Sequence, residues 1–182
     1  MPSIERGGGT RVLLVADSLD VGGAERHVVN LAAELVRSGW SVTIACSVAG
    51  GLATEASAAG VEVCPLIGSL VKRSVSLPYA WRLAHLTRRG HVGLIHAHMF
   101  ASSVAAGMAA RLTQLPLVIT EHSEANWRSP RARWFSRRAY TITARIIAVC
   151  SGTPPTALAT IGIPADMAMA SLSSAASRWR FC

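Results

Sequence analysis

Residues 11–47 read RVLLVADSLDVGGAERHVVNLAAELVRSGWSVTIACS, and this stretch decides the fold. An apolar run over 11–16 is followed by a polar link that ends in Gly22 and Gly23. Over 24–38, Val28, Leu31, Ala32, Leu35 and Val36 recur at helical spacing and make one apolar stripe. Glu25 falls in the first turn, where a negative charge suits the helix dipole, and Gly39 follows the last turn as a stop. A second apolar run, over 41–47, begins at once. Strand, helix and strand joined by short links form the unit from which parallel sheets are built.

Outward from this unit the alternation continues. Strands are expected over 61–66, 92–96, 115–120 and 145–149, and helices over 52–59, 77–89, 102–112, 132–141 and 154–161. In the last helix Ser151 or Thr153 can cap, Pro154 suits the first position and Gly162 ends it. The strands are rich in Val, Ile and Leu without clean alternation, as strands buried on both faces are. The expectation is an α/β fold: a Rossmann-like, doubly wound parallel sheet of six or seven strands with helices on both faces. One domain spans 11–167, between a polar, glycine-rich segment over 1–10 and a tail over 168–182, both read as disordered.

A length of 182 residues, with 51% hydrophobic and 15% charged, suits one globular domain rather than a disordered chain. No apolar run reaches the roughly 18 residues that span a bilayer, and 12–16 is too short for a signal-peptide core, so a cytoplasmic protein is expected. Cys46, Cys64, Cys150 and Cys182 form no C-x-x-C pair and read as small hydrophobes in a reducing compartment. The net charge of +8, carried by 17 Arg and Lys72, favours anionic partners: phosphates, nucleic acid or an acidic membrane surface. No Walker A loop, G-x-S-x-G elbow, H-E-x-x-H pattern or G-x-G-x-x-G fingerprint appears, so P-loop, serine-hydrolase, zincin and nicotinamide-dinucleotide readings lose their main support.

In a doubly wound sheet, functional groups gather at the carboxyl ends of the strands. There the first strand offers Gly22 and Gly23 before a helix N-terminus, which suits either a phosphate-bearing ligand or a plain turn. The fourth ends His96-Ala97-His98, two imidazoles on one face with no third ligand at a metal-binding spacing. A packed His beside one that faces the crevice explains the pair better than zinc does. The fifth ends Thr120-Glu121-His122, and His122 suits hydrogen bonding, proton transfer or mere capping of a loop. Beyond it, Arg128, Arg131, Arg133, Arg137, Arg138 and Arg145 are interleaved with Trp127, Trp134, Phe135 and Tyr140. Such a helix can rest on an anionic membrane or grip a phosphate or nucleic acid, or it can be a solvated basic face with aromatics packed inward.

The ordered set of motifs is more telling than any one of them. Gly22-Gly23-Ala24-Glu25-Arg26 opens a helix that closes Leu35-Val36-Arg37-Ser38-Gly39-Trp40. Ile95-His96-Ala97-His98 and Thr120-Glu121-His122 follow, then Arg145-Ile146-Ile147-Ala148-Val149-Cys150-Ser151 and Gly162-Ile163-Pro164-Ala165. In this order they resemble the N-terminal domain of family-4 glycosyltransferases, over about residues 11–167. The resemblance implies one half of a GT-B fold, in which two Rossmann-like domains face a cleft. The N-terminal half takes the acceptor and the C-terminal half holds most of the nucleotide-sugar. It implies transfer with retention of configuration, to a glycan or lipid-linked acceptor, with no metal or cofactor. On this sequence Gly22 and Gly23 would approach the donor diphosphate, and His122 would be the active-site histidine. Glu25, His98 and Glu121 would stand on the acceptor side. Arg128, Arg131, Trp134 and Arg138 would contact a membrane or phosphate, and nucleic acid is not an expected partner.

The sequence departs from the pattern at its end. Where the family continues into a strand and an Asn-Gly turn that opens the second domain, 171–182 are rich in Ser, Ala and Arg. The expectation is a truncated or frame-shifted product, inactive unless another chain supplies the missing domain, or else a non-catalytic module that holds a phosphate-bearing or lipid-linked ligand.

Overall fold

The computed structural model describes residues 11–72, 74–122, 129–140 and 145–148. β1 (Arg11–Ser18) shows why its sequence does not alternate. Leu13 and Val15 enter one hydrophobic core, while Val12, Leu14 and Ala16 enter another on the opposite face. Both faces are covered, so both sets of side chains are apolar. Burying each such Leu or Val stabilises the fold by roughly 1.5–3 kcal/mol.

The chain continues through α1 (Gly23–Arg37), β2 (Ser41–Val48), α2 (Ala53–Ala58), β3 (Glu62–Pro65), α3 (Leu77–Arg89), β4 (Val92–His98), α4 (Phe100–Thr113), β5 (Leu117–Glu121), α5 (Pro130–Tyr140) and β6 (Arg145–Ala148). Among the described residues the sheet has six strands in the order β3-β2-β1-β4-β5-β6, and every pairing is parallel. Val28, Val29 and Ala32 of α1 and Ala56 of α2 close the core on one face. Tyr79, Ala80, Leu83 and Ala84 of α3, with Ala105, Ala106, Ala109 and Ala110 of α4, close it on the other. The small residues of α4 let that helix sit close to the sheet. This is the doubly wound α/β arrangement that the sequence implies.

The apolar stripe of α1 packs as its spacing requires: Val28 and Ala32 are buried, and Leu31, Leu35 and Val36 pack half-buried against the same core. Gly39 ends the helix with a φ of 87°, a left-handed conformation that favours glycine. Its N–H donates to the carbonyl of Val36, and Trp40 N–H to that of Leu35.

Three boundaries move in ways that shape the site. β1 runs two residues further than expected, to Ser18, and β4 two further, to His98, so His96 and His98 both lie inside a strand. α4 begins at Phe100 rather than 102 because a group distant in sequence caps it. The Asp17 carboxylate accepts from the backbone N–H of Ser102 at 2.8 Å and from its hydroxyl at 2.7 Å. Close packing of loops matters as well. Leu52 N–H donates to the Leu19 carbonyl at 2.9 Å. A Cβ on Gly50 would overlap the backbone of Leu19 and Asp20.

No helix among the described residues is long and apolar enough to cross a membrane. The segment 1–10, the helix expected over 154–161 and the tail over 168–182 lie outside the described residues.

Candidate functional site

From β1 the chain winds outward through β2 and β3, then returns to β4 on the other side of β1. The order reverses between β1 and β4, and the crevice at the carboxyl ends of these two strands is where doubly wound sheets bind ligands. The link after β1, the N-terminus of α1 and the end of β4 flank it.

Four histidines gather there. His96 and His98 project from one face of β4, as residues two apart in a strand must. Thr120, paired in register with His98, turns to the same face of β5, and His122 follows it. His98 is fully buried, and its Nδ1 lies 3.0 Å from Nε2 of the half-buried His122. His96 Nε2 lies 2.8 Å from the Thr120 hydroxyl, and its ring lies 4.3 Å from that of His98. From α1, one turn beyond Gly23, His27 brings its ring to 5.8 Å from His98 and, edge-on, to 5.2 Å from His122. Thus the first turns of the helix that Gly22 and Gly23 open meet His122 through His27.

The cluster is electrostatically unusual. Burial holds His96 and His122 down at about 4 and holds His98 well below the ordinary imidazole value, and His27 is lowered by the same cause. Each further imidazole adds like-charge repulsion. At neutral pH all four are uncharged. Among the described residues no group of three or more His, Cys, Asp or Glu converges to hold a metal ion.

Met99, directly after His98, has φ 67° and ψ 170°. Residues with a Cβ adopt that region at a cost of roughly 1–3 kcal/mol, and such conformations persist where the surroundings dictate them. The conformation turns the chain from β4 straight into α4.

Under the crevice lies a buried polar network. Tyr79 Oη donates to the Ala16 carbonyl at 2.8 Å and lies 3.5 Å from the Ser102 hydroxyl, which in turn donates to Asp17. Burial pushes the Asp17 carboxyl up to about 6, against the hydrogen bonds from Ser102, and raises the Tyr79 phenol.

The residues singled out in the sequence fall in several places. Gly22 and Gly23 lie at the N-terminus of α1, with open space around the Gly23 α-carbon. Glu25 is buried, and its carboxylate folds back against Gly22, at the positive end of its own helix. His98 and His122 come together. Glu121 is buried but shares its sheet face with Leu117 and Ile119, opposite to His122. Arg131, Trp134 and Arg138 are exposed on α5, which packs on α4, and the Arg138 guanidinium lies 5.9 Å from the Trp134 ring centre. Arg128 lies outside the described residues. Cys46 is a buried core residue and Cys64 is half-buried, both free thiols. His27 and Asp17 were missed by sequence reasoning. For His27 the signal was a polar residue one turn after the two glycines. For Asp17 there was none, because its partner is 85 positions away.

Comparison with known proteins bears on the family and the fold. The profile of Glycosyltransferase Family 4 matches residues 21–168. HepE of Anabaena, solved in complex with UDP and glucose, superposes with a TM-score of 0.67 at 19% identity, over 87% of this chain and 43% of that one. A glycosyltransferase from Rickettsia africae gives 0.68 at 18% identity, over 88% and 42%. The sucrose-phosphate synthase of Thermosynechococcus elongatus gives 0.63 at 14%, over 83% and 45%. At these identities the likeness is one of fold, that of a GT-B half, and the chain spans less than half the length of each structure. No curated protein matches.

Proposed function

The chain belongs to glycosyltransferase family 4, and from that premise we propose that it forms the acceptor-side half of a retaining glycosyltransferase. This half acts on a nucleotide-sugar donor and a glycan or lipid-linked acceptor. The observation that carries the reading is the meeting of His27, one turn into the helix that Gly22 and Gly23 open, with His122 at the switch point of the sheet. A departing nucleoside diphosphate needs its growing negative charge stabilised. Backbone N–H groups at the start of α1 and the helix dipole provide this without a metal. The open space at Gly23 lets a phosphate approach the backbone. His122 contacts the transferred sugar. His98, fully buried, and Glu121, on the opposite sheet face, act as supports for that wall rather than as its lining.

The described residues make one wall of a two-walled cleft. Turnover therefore needs a second Rossmann-like wall that holds the nucleotide and, on closing, excludes water that would hydrolyse the donor. The exposed Arg131, Trp134 and Arg138 of α5 are a basic aromatic group suited to anionic lipid, which supports a reaction at a membrane face.

The test is turnover of nucleotide-sugars by the full chain, with and without a co-expressed family-4 C-terminal domain, in the presence of a lipid acceptor extract. Transfer that depends on the added domain, and that drops tenfold or more in both Gly23→Ala and His122→Gln, is the expected result. Transfer unchanged by both substitutions would remove the basis of the reading. Nucleotide-sugar or acceptor binding without turnover under any of these conditions would leave the chain as a ligand-holding module.

A further inference from the structure

We propose that His98 is a positioning residue that fixes the proton of His122 on Nδ1, so that His122 presents the crevice with a hydrogen-bond donor and not a base. The inference rests on the proposed role of His122 for its functional meaning, but not for its geometry.

Two imidazole nitrogens 3.0 Å apart, His98 Nδ1 and His122 Nε2, share one proton. A neutral imidazole has one donor and one acceptor nitrogen, and the bond made by one fixes the state of the other. Both rings are neutral: the groups that act on His98 are three further imidazoles, and burial disfavours charge on both. The direction of the bond then follows from the far side of His98. Its Nε2 is buried and has no hydrogen-bond partner among the described residues. If His98 Nδ1 accepted, Nε2 would carry a hydrogen with no acceptor among the described residues. Buried N–H groups without partners are rarer than buried acceptors left bare. His98 Nδ1–H therefore donates to His122 Nε2, and His122 carries its own proton on Nδ1, the nitrogen not engaged with His98.

The surroundings hold this arrangement in place. His96, tied to Thr120, lies against the His98 ring. His27 meets His122 edge-on. An Nδ1–H donor suits a sugar hydroxyl or a phosphate oxygen, and it leaves His122 unable to take a proton from an acceptor in the same state.

The experiment is a long-range proton–nitrogen correlation spectrum of the full chain labelled on histidine nitrogens, near pH 7.5 and without sugar or nucleotide. His122 is assigned by loss of its signals in His122→Gln. The expected result is an excess of the Nδ1–H form of His122 of about tenfold or more, set by the penalty for stranding a buried donor. His98→Phe should return His122 toward the Nε2–H form that free histidine favours. His98→Asn, whose amide N–H reaches the place of Nδ1, should restore Nδ1–H. A wild-type His122 protonated on Nε2 would overturn the proposal, as would a folded His98→Phe chain with an unchanged tautomer. Should His98→Phe fail to fold, the wild-type and His98→Asn spectra decide. Because no substrate is present, the result is independent of whether the chain transfers sugar.

Discussion

Lowering the pH from about 7.5 to 4.5 should destabilise this protein, and the histidine cluster sets the sign. The His96 pKa lies at about 4 in the folded chain against 6.5 ordinarily. The unfolded chain therefore takes up the proton first. The stability tied to a neutral His96 is complete above pH 6.5 and is lost as the pH falls toward 4. By pH 4.5 the loss from His96 alone is about 2–3 kcal/mol, at 1.36 kcal/mol per pKa unit. His27, His98 and His122 are shifted in the same direction. Asp17 opposes them. Its carboxyl, at about 6 against 3.8, is protonated first in the folded chain. It returns about 2 kcal/mol over the same interval. Four bases act against one acid, so the net change is a loss. Urea unfolding followed by far-UV circular dichroism, at half-unit steps in pH, measures it. His96→Gln should flatten the fall by about 2–3 kcal/mol, and Asp17→Asn should steepen it by about 2 kcal/mol. Stability that stays level or rises on acidification, or a His96→Gln profile parallel to wild type, would refute the account of four imidazoles held neutral by burial.

Three further outcomes follow from the packing. Gly50→Ala forces its methyl into the backbone of Leu19 and Asp20; thermal and urea unfolding should show a loss of about 3 kcal/mol or more, since backbone cannot move aside as a flexible side chain can. Tyr79→Phe removes the donor to the Ala16 carbonyl and should cost about 1–2 kcal/mol by the same unfolding assay, with the fold otherwise intact. Arg26→Ala breaks an exposed ion pair with Glu55 and should change stability by less than about 0.5 kcal/mol, a value to be read from the urea midpoint at low and high salt.

The boundary errors have a common cause. Local signals placed α1 to within a residue, because its apolar stripe, its two leading glycines and Gly39 all lie in one short stretch. β4 and α4 were misjudged at their shared boundary. The polar His96 and His98 look like a strand end, and Met99 and Phe100 do not look like a helix start. What extends the strand is pairing with β5, and what starts the helix is Asp17 from β1. The site divides in the same way. Gly22, Gly23 and His122 stood out by position after strands. Glu25, placed on the acceptor side by resemblance, has its carboxylate against Gly22, a contact that depends on the turn of the helix.

By itself the sequence determined the class of fold and the family. Hydrophobic periodicity and strand-to-helix order are local properties, and an ordered series of short motifs needs no coordinates to be recognised. The tertiary structure decided which histidines meet, which of them are buried, and which face of the sheet Glu121 takes. Those outcomes depend on strand order and register between segments up to 95 residues apart, as with His27 on α1 and His122 beyond β5. The chemistry of the cluster follows from that meeting, because an imidazole's charge and proton are set by the solvent it loses and the neighbours it gains.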